Sequence, residues 1–429
     1  MVDKEQIEHA SLTDVGVKRG HNQDNLAVMP AATQEQWQAH GHVFLVADGM
    51  GAHAVGELAS ELAANIIPLT YQKYSSEGTY SAIERAFLEA NASIHDRGLQ
   101  NRDFKGMGTT SSALILRPEG AWVGHVGDSR VYRIRDGFIE QLSYDHSLVW
   151  ELARRQGISP DVMQGVPSNV IVRSLGPDSK VEPDISGPHP IRAGDVYVLC
   201  SDGLSGPVAD HEIGAVASSL PPKEACRFLV DLANLRGGPD NITVIVVKVK
   251  CDAAADLDDL TPPQPWYQRF PWPLLSLLLG FVFAGTAVFL TANKANGGIA
   301  CFILALICIL GGIAGLVINL MLEKKKPPPK PRKTRLKGYN KTICKVDREL
   351  LDELLYIEDV VERFIRQEKW ETDWHTFAEH RQQAESYLQQ GDLASAYREY
   401  CLALLPLTNT LQEHRKKGES FQPHWNKSG

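Results

Sequence analysis

The sequence predicts an α+β fold, a β-sandwich flanked by helices, followed by a two-helix transmembrane hairpin and an all-α C-terminal domain. Three observations predict this order. Short strand-like runs separated by turn residues occupy residues 1–250, two long apolar runs occupy residues 272–322, and residues 340–429 show helical spacing of apolar side chains. Strands that follow one another through short turns favour antiparallel sheets with helices packed outside.

The strand-like runs of residues 1–250 are bounded by Gly, Pro or Asp, as strands usually are. They are His42–Asp48, Ser111–Arg117, Ala121–Ile134, Asp195–Cys200 and Asn241–Val249. Helical spacing is found after Gly51 and again from Ile83 to Ile94. These segments do not alternate strictly between strand and helix, so a doubly wound parallel sheet is not expected.

Composition and charge exclude several classes of protein. The 429 residues include 44 Lys and Arg against 52 Asp and Glu, a formal net charge of −8, which argues against a general nucleic-acid binder. With 43% hydrophobic and 22% charged residues, the chain is not a disordered one. The seven Cys lack CxxC spacing and are predicted to be reduced thiols of a cytosol-facing protein. The first residues contain no apolar run, so no signal peptide and no secretion are expected.

The two apolar runs are Pro273–Ala292 and Ile299–Leu322, each long enough to cross a hydrocarbon layer of about 30 Å. They show no polar stripe, whereas helices of soluble proteins usually do; buried core helices are the alternative. The basic segment Lys324–Lys337 follows directly, and positive charge beside a span marks the cytoplasmic side. The sequence therefore predicts a protein of the cell membrane with two spans, both soluble parts in the cytoplasm, and basic residues in contact with membrane lipid.

These features divide the chain into five segments. A folded domain over residues 1–250 is followed by an acidic and proline-rich linker over 251–271, the hairpin over 272–322, a basic proline-rich linker over 323–339 and a helical domain over 340–429. Within the last segment, His380–Pro406 resembles a single tetratricopeptide repeat and predicts a repeat-like hairpin. Its role stays open between binding another protein, sensing a ligand and packing on the first domain.

Four apolar strands end or pause at an aspartate beside a turn residue, at Asp48, Asp128, Asp202 and Asp240. One such aspartate alone indicates only a turn, but four together predict carboxylates gathered at one edge of the sheets. Crowded carboxylates repel one another unless a cation joins them, and oxygen ligands favour Mg²⁺ or Mn²⁺ over zinc. Arg19 lies upstream, and an arginine near such a site is suited to a phosphate dianion, although alone it would indicate a surface ion pair.

Seven motifs follow one another in a specific order. They are Arg19…Asn22-Gln23-Asp24, VADGMG around Asp48, GMGTT from Gly106, VGDSR around Asp128, DHS from Asp145, SDGL around Asp202, and GPDNIT around Asp240. Over about residues 8–250 this set resembles the bacterial branch of the metal-dependent protein phosphatases, the PPM or type 2C family. The resemblance implies a β-sandwich with a binuclear Mn²⁺ or Mg²⁺ centre that hydrolyses phosphoserine and phosphothreonine esters.

The resemblance also implies a role for each acidic position. Asp48 resembles the carboxylate that bridges both metals, and Gly49 resembles the residue that offers its carbonyl to one of them. Asp202 and Asp240 resemble ligands of the second metal. Asp24 resembles the acid that acts on the first metal through water, and Asp128 resembles a ligand of a third, weaker site. In this scheme Arg19 binds the substrate phosphate, and the catalytic residues are Arg19, Asp48, Asp202 and Asp240.

One position departs from the eukaryotic pattern. Eukaryotic relatives carry a His two places after the bridging aspartate, where this sequence has Met50, as the bacterial branch often does. His53, His146 and metal-bound water stay open as proton donors, and His53 alternatively only solvates a helix terminus. The segment Leu148–Ser174 corresponds to the mobile flap beside the site in this family.

The sequence thus predicts a membrane-tethered bacterial Ser/Thr phosphoprotein phosphatase, in which a metal-bridging water attacks the ester. Its expected partners are phosphorylated Ser/Thr proteins, including a eukaryotic-like kinase, and no nucleic acid. The same chemistry acting on anti-anti-sigma regulators stays open. A different class remains as the alternative, a membrane adaptor that binds phosphoproteins without turnover and recruits partners through its helical tail.

Overall fold

Two antiparallel sheets and the helices around them account for most of the chain. The computed structural model describes residues 7–51, 55–163, 165–167, 170–250, 272–324 and 340–416. In chain order its strands are β1 (Ile7–Asp14), β2 (Asp24–Met29), β3 (His42–Met50), β4 (Gly108–Thr109), β5 (Ser111–Arg117), β6 (Gly120–Val126), β7 (Arg130–Arg135), β8 (Phe138–Gln141), β9 (Asp184–His189), β10 (Val196–Cys200), β11 (Ile242–Val249) and β12 (Lys341–Ile343).

Helices lie between and after these strands along the chain. They are α1 (Gln34–Ala39), α2 (Val55–Tyr74), α3 (Thr79–Gln100), α4 (Leu148–Gln156), α5 (Asp202–Ser205), α6 (Asp210–Ser219), α7 (Pro222–Leu235), α8 (Trp272–Ala292), α9 (Gly298–Lys324), α10 (Arg348–Glu368), α11 (Trp374–Gln389) and α12 (Leu393–Lys416). One sheet has the order β1-β11-β10-β7-β8-β12, and the other has the order β2-β3-β5-β6-β9, with β4 paired to β3. The predicted β-sandwich flanked by helices is confirmed.

Alternation along β3 shows how the layers are built. Phe44 and Val46 point into the core between the two sheets. Val43 and Leu45, on the other side of the strand, pack in the core beneath α2 and α3. Because both faces are buried, the strand reads as a continuous apolar run rather than as an alternating one. The same logic applies to β10, where Tyr197 and Leu199 face the sandwich interior.

One predicted strand is two strands in the structure. The run Ala121–Ile134 is divided into β6 and β7 by a turn at residues 127–129. Gly127 has a φ of +112°, and a Cβ at this position would lie 2.5 Å from the Thr110 Cβ. Because only glycine fits both the angle and the close approach, the chain reverses here and Asp128 comes to the end of the sheet.

The prediction of an all-α C-terminal domain is wrong in one respect. The C-terminal region is helical, but its first described segment, β12, pairs antiparallel with β8 and extends the sheet. An edge strand such as β8 presents unpaired backbone N–H and C=O groups, and β12 covers them. A strand of three residues is too short to show alternation, so no periodic pattern indicates it.

The C-terminal helices share a hydrophobic core with the first domain. Leu351 and Leu354 of α10 and Leu407 of α12 belong to the same buried cluster as Ile213 of α6 and Phe228 of α7. The described residues on either side of α8 and α9 accordingly form one compact unit. Of the roles left open for this region, packing on the first domain is therefore observed. The two predicted linkers lie outside the described residues, except for residues 323–324 at the end of α9.

The helices α8 and α9 form a separate unit of their own. Among the described helices, the window Leu275–Ala292 of α8 has the length and the apolar composition needed to cross a membrane, and 11% of it is buried. The apolar window described in α9, Gly298–Ala314, is shorter. The structure therefore contains one candidate span, whereas the prediction of two spans is not established.

A buried carboxylate in α10 makes the stability of the C-terminal helices depend on pH. Glu358 is 2% exposed. Its Oε1 lies 3.5 Å from Arg381 Nη1, and its Oε2 has no hydrogen-bond partner within the described residues. Burial, opposed by Arg381 and reinforced by Glu362, raises the pKa of Glu358 to about 7. The charged form therefore destabilises the folded state above this pH.

We expect Glu358→Gln to make the protein more stable than wild type at pH 8 and to leave its stability near that of wild type at pH 5. The pKa of Glu358 in the folded state lies above the ordinary carboxyl pKa. The wild type therefore has its full stability below the ordinary carboxyl pKa and loses part of it as pH rises through about 7. Between pH 5 and pH 8, the free energy of unfolding of the wild type should fall by on the order of 2 kcal/mol more than that of the variant. This difference can be measured by urea unfolding, with Glu368→Gln as the control because Glu368 is exposed in the same helix; equal effects of both variants would contradict the prediction.

Candidate active site

The five predicted acidic residues lie at one end of the sandwich. Asp24 opens β2 and is paired in register with Asp48, near the end of β3. Asp128 occupies the turn between β6 and β7, Asp202 is the first residue of α5 after β10, and Asp240 precedes β11. Because adjacent strands run antiparallel, the ends of β3, β6 and β10 meet the beginnings of β2, β7 and β11.

The backbone around Asp48 is held by a threonine pair. The Asp48 N–H donates to Thr110 Oγ1 at 2.9 Å, and the Asp48 carbonyl accepts from Thr110 N–H at 2.8 Å and from Thr109 Oγ1 at 2.9 Å. At Gly49, a Cβ would lie 2.1 Å from the Gly56 carbonyl oxygen. The start of α2 can approach β3 this closely only because this position has no side chain.

The carboxylates repel one another, and they are buried to different degrees: Asp24 and Asp128 are buried, whereas the Asp240 side chain is 31% exposed. Burial, followed by the charges of Asp24 and Asp202, raises the pKa of Asp48 well above its ordinary range. Burial is also the main cause that raises the pKa of Asp24 to about 7 and that of Asp128 to about 8. The pKa of Asp202 is raised by burial and by the charge of Asp240, and the neighbouring Asp48 and Arg19 side chains oppose this increase. Without a compensating positive charge, ionising all of these groups is therefore unfavourable.

Three of these carboxylates keep a buried oxygen without a hydrogen-bond partner among the described residues. They are the Oδ1 atoms of Asp24, Asp128 and Asp202. In the described part of the chain, no group of three or more His, Cys, Asp or Glu side chains is arranged as a ready cation cage. The aspartates are nevertheless close enough to raise one another's pKa, and their buried free oxygens are hard ligands. The donor set therefore fits Mg²⁺ or Mn²⁺.

Arg19 contacts this acidic group directly. Its Nη2 donates to Asp240 Oδ2 at 2.7 Å, and its side chain is 50% exposed. The guanidinium group carries five N–H donors. Because Arg19 is half-exposed, its remaining N–H groups can bind an anion from solvent while the side chain stays in contact with Asp240.

The sequence interpretation missed residues that hold the site together. Ser201 Oγ donates to Asp24 Oδ2 at 2.7 Å and accepts from Thr243 N–H at 3.0 Å. Asn241 Nδ2 donates to the carbonyls of Val15 and His21 at 3.0 and 2.9 Å. Both residues stand beside a predicted metal ligand, in the SDGL and GPDNIT motifs. In the sequence, only their position next to Asp202 and Asp240 indicates that Ser201 and Asn241 belong to the site.

A partly buried cation, Arg130, lies two residues after Asp128. Arg130 donates through Nε to Asp145 Oδ2 at 2.9 Å, and its Nη1 lies 3.4 Å from Asp210 Oδ1. Its positive charge lowers the pKa of both Asp128 and Asp202, against the effect of burial. Arg130 and Asp145 belong to the VGDSR and DHS motifs, where the sequence alone gave them no role. Arg130 partly compensates the negative charge of the site, whereas Asp145 binds Arg130 and itself raises the pKa of Asp128.

Of the two histidines predicted as proton donors, His146 lies within the described residues. His146 is buried; its Nδ1 accepts from Gly127 N–H at 3.0 Å and its Nε2 lies 3.2 Å from Asp184 Oδ2. Both ring nitrogens are thus engaged in linking the Asp128 turn to β9. His53 lies outside the described residues, so its role stays a prediction. Met50 is the last residue of β3. Of the predicted flap, α4 is described, and residues 164, 168 and 169 are not.

Comparison with known proteins agrees with this fold and arrangement. A family model described as protein phosphatase 2C matches residues 13–242, which is more than half of the chain. The chain therefore belongs to the protein phosphatase 2C family. The family predicted from the ordered motifs is confirmed.

Relatives of known name match the same part of the chain. A putative protein phosphatase 2C-type of Streptococcus pyogenes is 37% identical over 244 residues, which are 55% of this chain and 94% of that protein. A serine/threonine phosphatase, stp, of Listeria innocua is 35% identical over 242 residues, 55% of this chain and 93% of its own. The crystal structure of the Mycobacterium tuberculosis serine/threonine phosphatase PstP/Ppp matches with a TM-score of 0.51 and 32% identity, covering 57% of this chain and 99% of that one.

Proposed function

We propose that this chain is a bacterial serine/threonine phosphoprotein phosphatase tethered to the membrane. The observation that carries the proposal is the group of five aspartates beside the half-exposed Arg19, three of which keep a buried oxygen without a hydrogen-bond partner among the described residues. Buried carboxylates that repel one another are costly to the fold, so their presence in a group indicates a functional site. The bacterial relatives named serine/threonine phosphatases support the choice of substrate.

Asp48 would be a ligand of both divalent cations, Asp202 and Asp240 would be ligands of the second, and Asp24 would act on the first through water. The carbonyl of Gly49 would be a further ligand, and Asp128 would contribute to a third, weaker site. Bound there, Mn²⁺ or Mg²⁺ would supply an activated water and offset the charge of the phosphate.

The chain's own residues bind and orient the substrate. Arg19 would donate N–H groups to two phosphate oxygens while Nη2 stays near Asp240, from which it is 2.7 Å away. Ser201 and Thr110 fix Asp24 and Asp48, so that the acidic group is held in place before substrate binds. No Ser or Cys nucleophile is required by this arrangement.

Exposed apolar side chains support the membrane tether. In α8, Leu278, Phe281 and Phe289 are 67%, 70% and 67% exposed, and in α9, Ile299 and Ile307 are 77% and 61% exposed. Helices with apolar groups on so much of their surface are stable in lipid rather than in water. We propose that both helices span the membrane, with the soluble parts on the cytoplasmic side and the basic segment Lys324–Lys337 against anionic lipid.

The full chain, purified in detergent with Mn²⁺, is expected to release phosphate from phosphoserine and phosphothreonine peptides, and EDTA is expected to stop the release. In cell extracts, this activity should sediment with the membranes. A variant in which residues 272–324 are replaced by a Gly/Ser linker should carry the same activity in the soluble fraction. Binding of phosphopeptides without any turnover would favour the adaptor alternative instead, and turnover that survives EDTA would contradict the metal proposal.

A further inference from the structure

The C-terminal helix α12 is fixed on α7 by a set of polar contacts. Asp231 of α7 is 2% exposed; its carboxylate accepts from Thr408 Oγ1 and from Gln412 Nε2, each at 2.6 Å. Arg227 Nη2 donates to Asn409 Oδ1 at 2.7 Å and to Gln412 Oε1 at 2.6 Å. Because these groups are directional and partly buried, they fix the register of α12 along α7.

Arg415 follows on the same helix and reaches the end of β1. Its Nη2 lies 3.3 Å from Asp14 Oδ1 and 3.4 Å from Asp14 Oδ2. Asp14 Oδ1 also accepts from Gly16 N–H at 2.9 Å and from Asn234 Nδ2 at 3.2 Å. One carboxylate thus joins α12, α7 and the loop that begins after β1.

This loop, residues 15–23, carries Arg19 and will be called the Arg19 loop. The N–H groups of Val17 and Lys18 donate to the Gly238 carbonyl at 2.9 and 3.1 Å. Gly16 has a φ of +79°, and a Cβ there would lie 2.1 Å from the Asp240 carbonyl oxygen. The Arg19 loop therefore packs directly against the segment that carries Asp240. A displacement of the first residues of the loop changes the position of the Arg19 side chain relative to the acidic group.

From these contacts we infer that Arg415 is a positioning residue for substrate binding, which acts through Asp14 on the Arg19 loop. The C-terminal helical region thereby sets the affinity of the active site for the phosphate group. The inference rests on the proposed function, specifically on the binding of phosphate by Arg19. Arg415 lies outside residues 13–242, the part of the chain that the family model matches.

The test uses the full chain in detergent with saturating Mn²⁺ and a phosphothreonine peptide. Arg415→Ala is expected to raise KM about two- to fivefold at nearly unchanged kcat, the size expected for a partly exposed ion pair. The inhibition constant of inorganic phosphate should rise by the same factor. Arg415→Lys keeps a cation near Asp14 and should restore most of the affinity. Arg363→Ala removes an exposed ion pair with Asp359 in α10 and is the matched control, with no expected effect.

A double-variant cycle separates positioning from general damage. Arg19→Ala should itself raise KM strongly, and Arg415→Ala added to it should then have no further effect on KM. The inference would be overturned if Arg415→Ala left KM unchanged or lowered only kcat. It would also be overturned if Arg415→Ala raised KM by the same factor in the Arg19→Ala variant as in the wild type. If Arg19→Ala leaves KM unchanged, the role of Arg19 in the proposed function fails as well, so the two failures are distinguishable.

Discussion

Asp48→Asn is expected to abolish phosphate release and, at the same time, to raise the melting temperature of the metal-free protein. Asparagine has nearly the same shape as aspartate but lacks the charge. Loss of this proposed metal ligand should lower activity with Mn²⁺ by at least about 100-fold. The buried repulsion from Asp24, Asp202 and the other acids disappears with the charge, so the fold should become more stable.

Both effects are measured on the same sample, as phosphopeptide turnover with Mn²⁺ and as thermal unfolding in EDTA. The matched control is Asp136→Asn, because the Asp136 side chain is 77% exposed and the change should affect neither quantity. A variant that loses activity and also unfolds at lower temperature would indicate a structural role for Asp48. Retention of more than about a tenth of the activity would argue against a shared metal ligand.

Removal of the C-terminal helices is expected to destabilise the phosphatase domain severely. Two soluble proteins would be compared, residues 1–250 alone and residues 1–250 joined by a Gly/Ser linker of about 20 residues to residues 340–416. Residues 1–250 alone expose the faces of α6 and α7 that otherwise pack against α10 and α12. We expect a melting temperature lower by at least about 10 °C, together with concentration-dependent aggregation.

The corresponding core substitution is Leu354→Ala in the linked protein, since Leu354 is 4% exposed in the shared core. It should lower the free energy of unfolding by about 2–4 kcal/mol. The control is Tyr356→Ala, because Tyr356 lies in the same helix and is 48% exposed. Equal melting temperatures for the two soluble proteins would show that the C-terminal helices contribute no stability to the domain.

The sandwich and the acidic end of the sheets could be predicted because their signals are local. Ser111–Arg117 was predicted as a strand and is one in the structure, since apolar residues and bounding turn residues specify it within a few positions. Asp48, Asp202 and Asp240 each stand beside a strand end, and antiparallel pairing brings such ends together. The ordered motifs then supplied the family.

The features that escaped prediction depend on contacts between distant parts of the chain. β12 forms because β8, some 200 residues earlier, presents an open edge. The buried position of Leu351 depends on α6 and α7, to which no local pattern points. Ser201 and Arg130 stabilise carboxylates through side-chain geometry that spacing alone does not determine.

The contact between Asp14 and Arg415 joins residues 401 positions apart. Because ribosomes synthesise the chain from its N-terminus, β1 cannot form its contact with α12 until α12 has been translated. In the meantime α8 and α9 have already emerged. A nascent chain tethered as proposed is therefore inserted into the bilayer while its catalytic unit is still unfinished, and its uncovered apolar face needs protection during that interval.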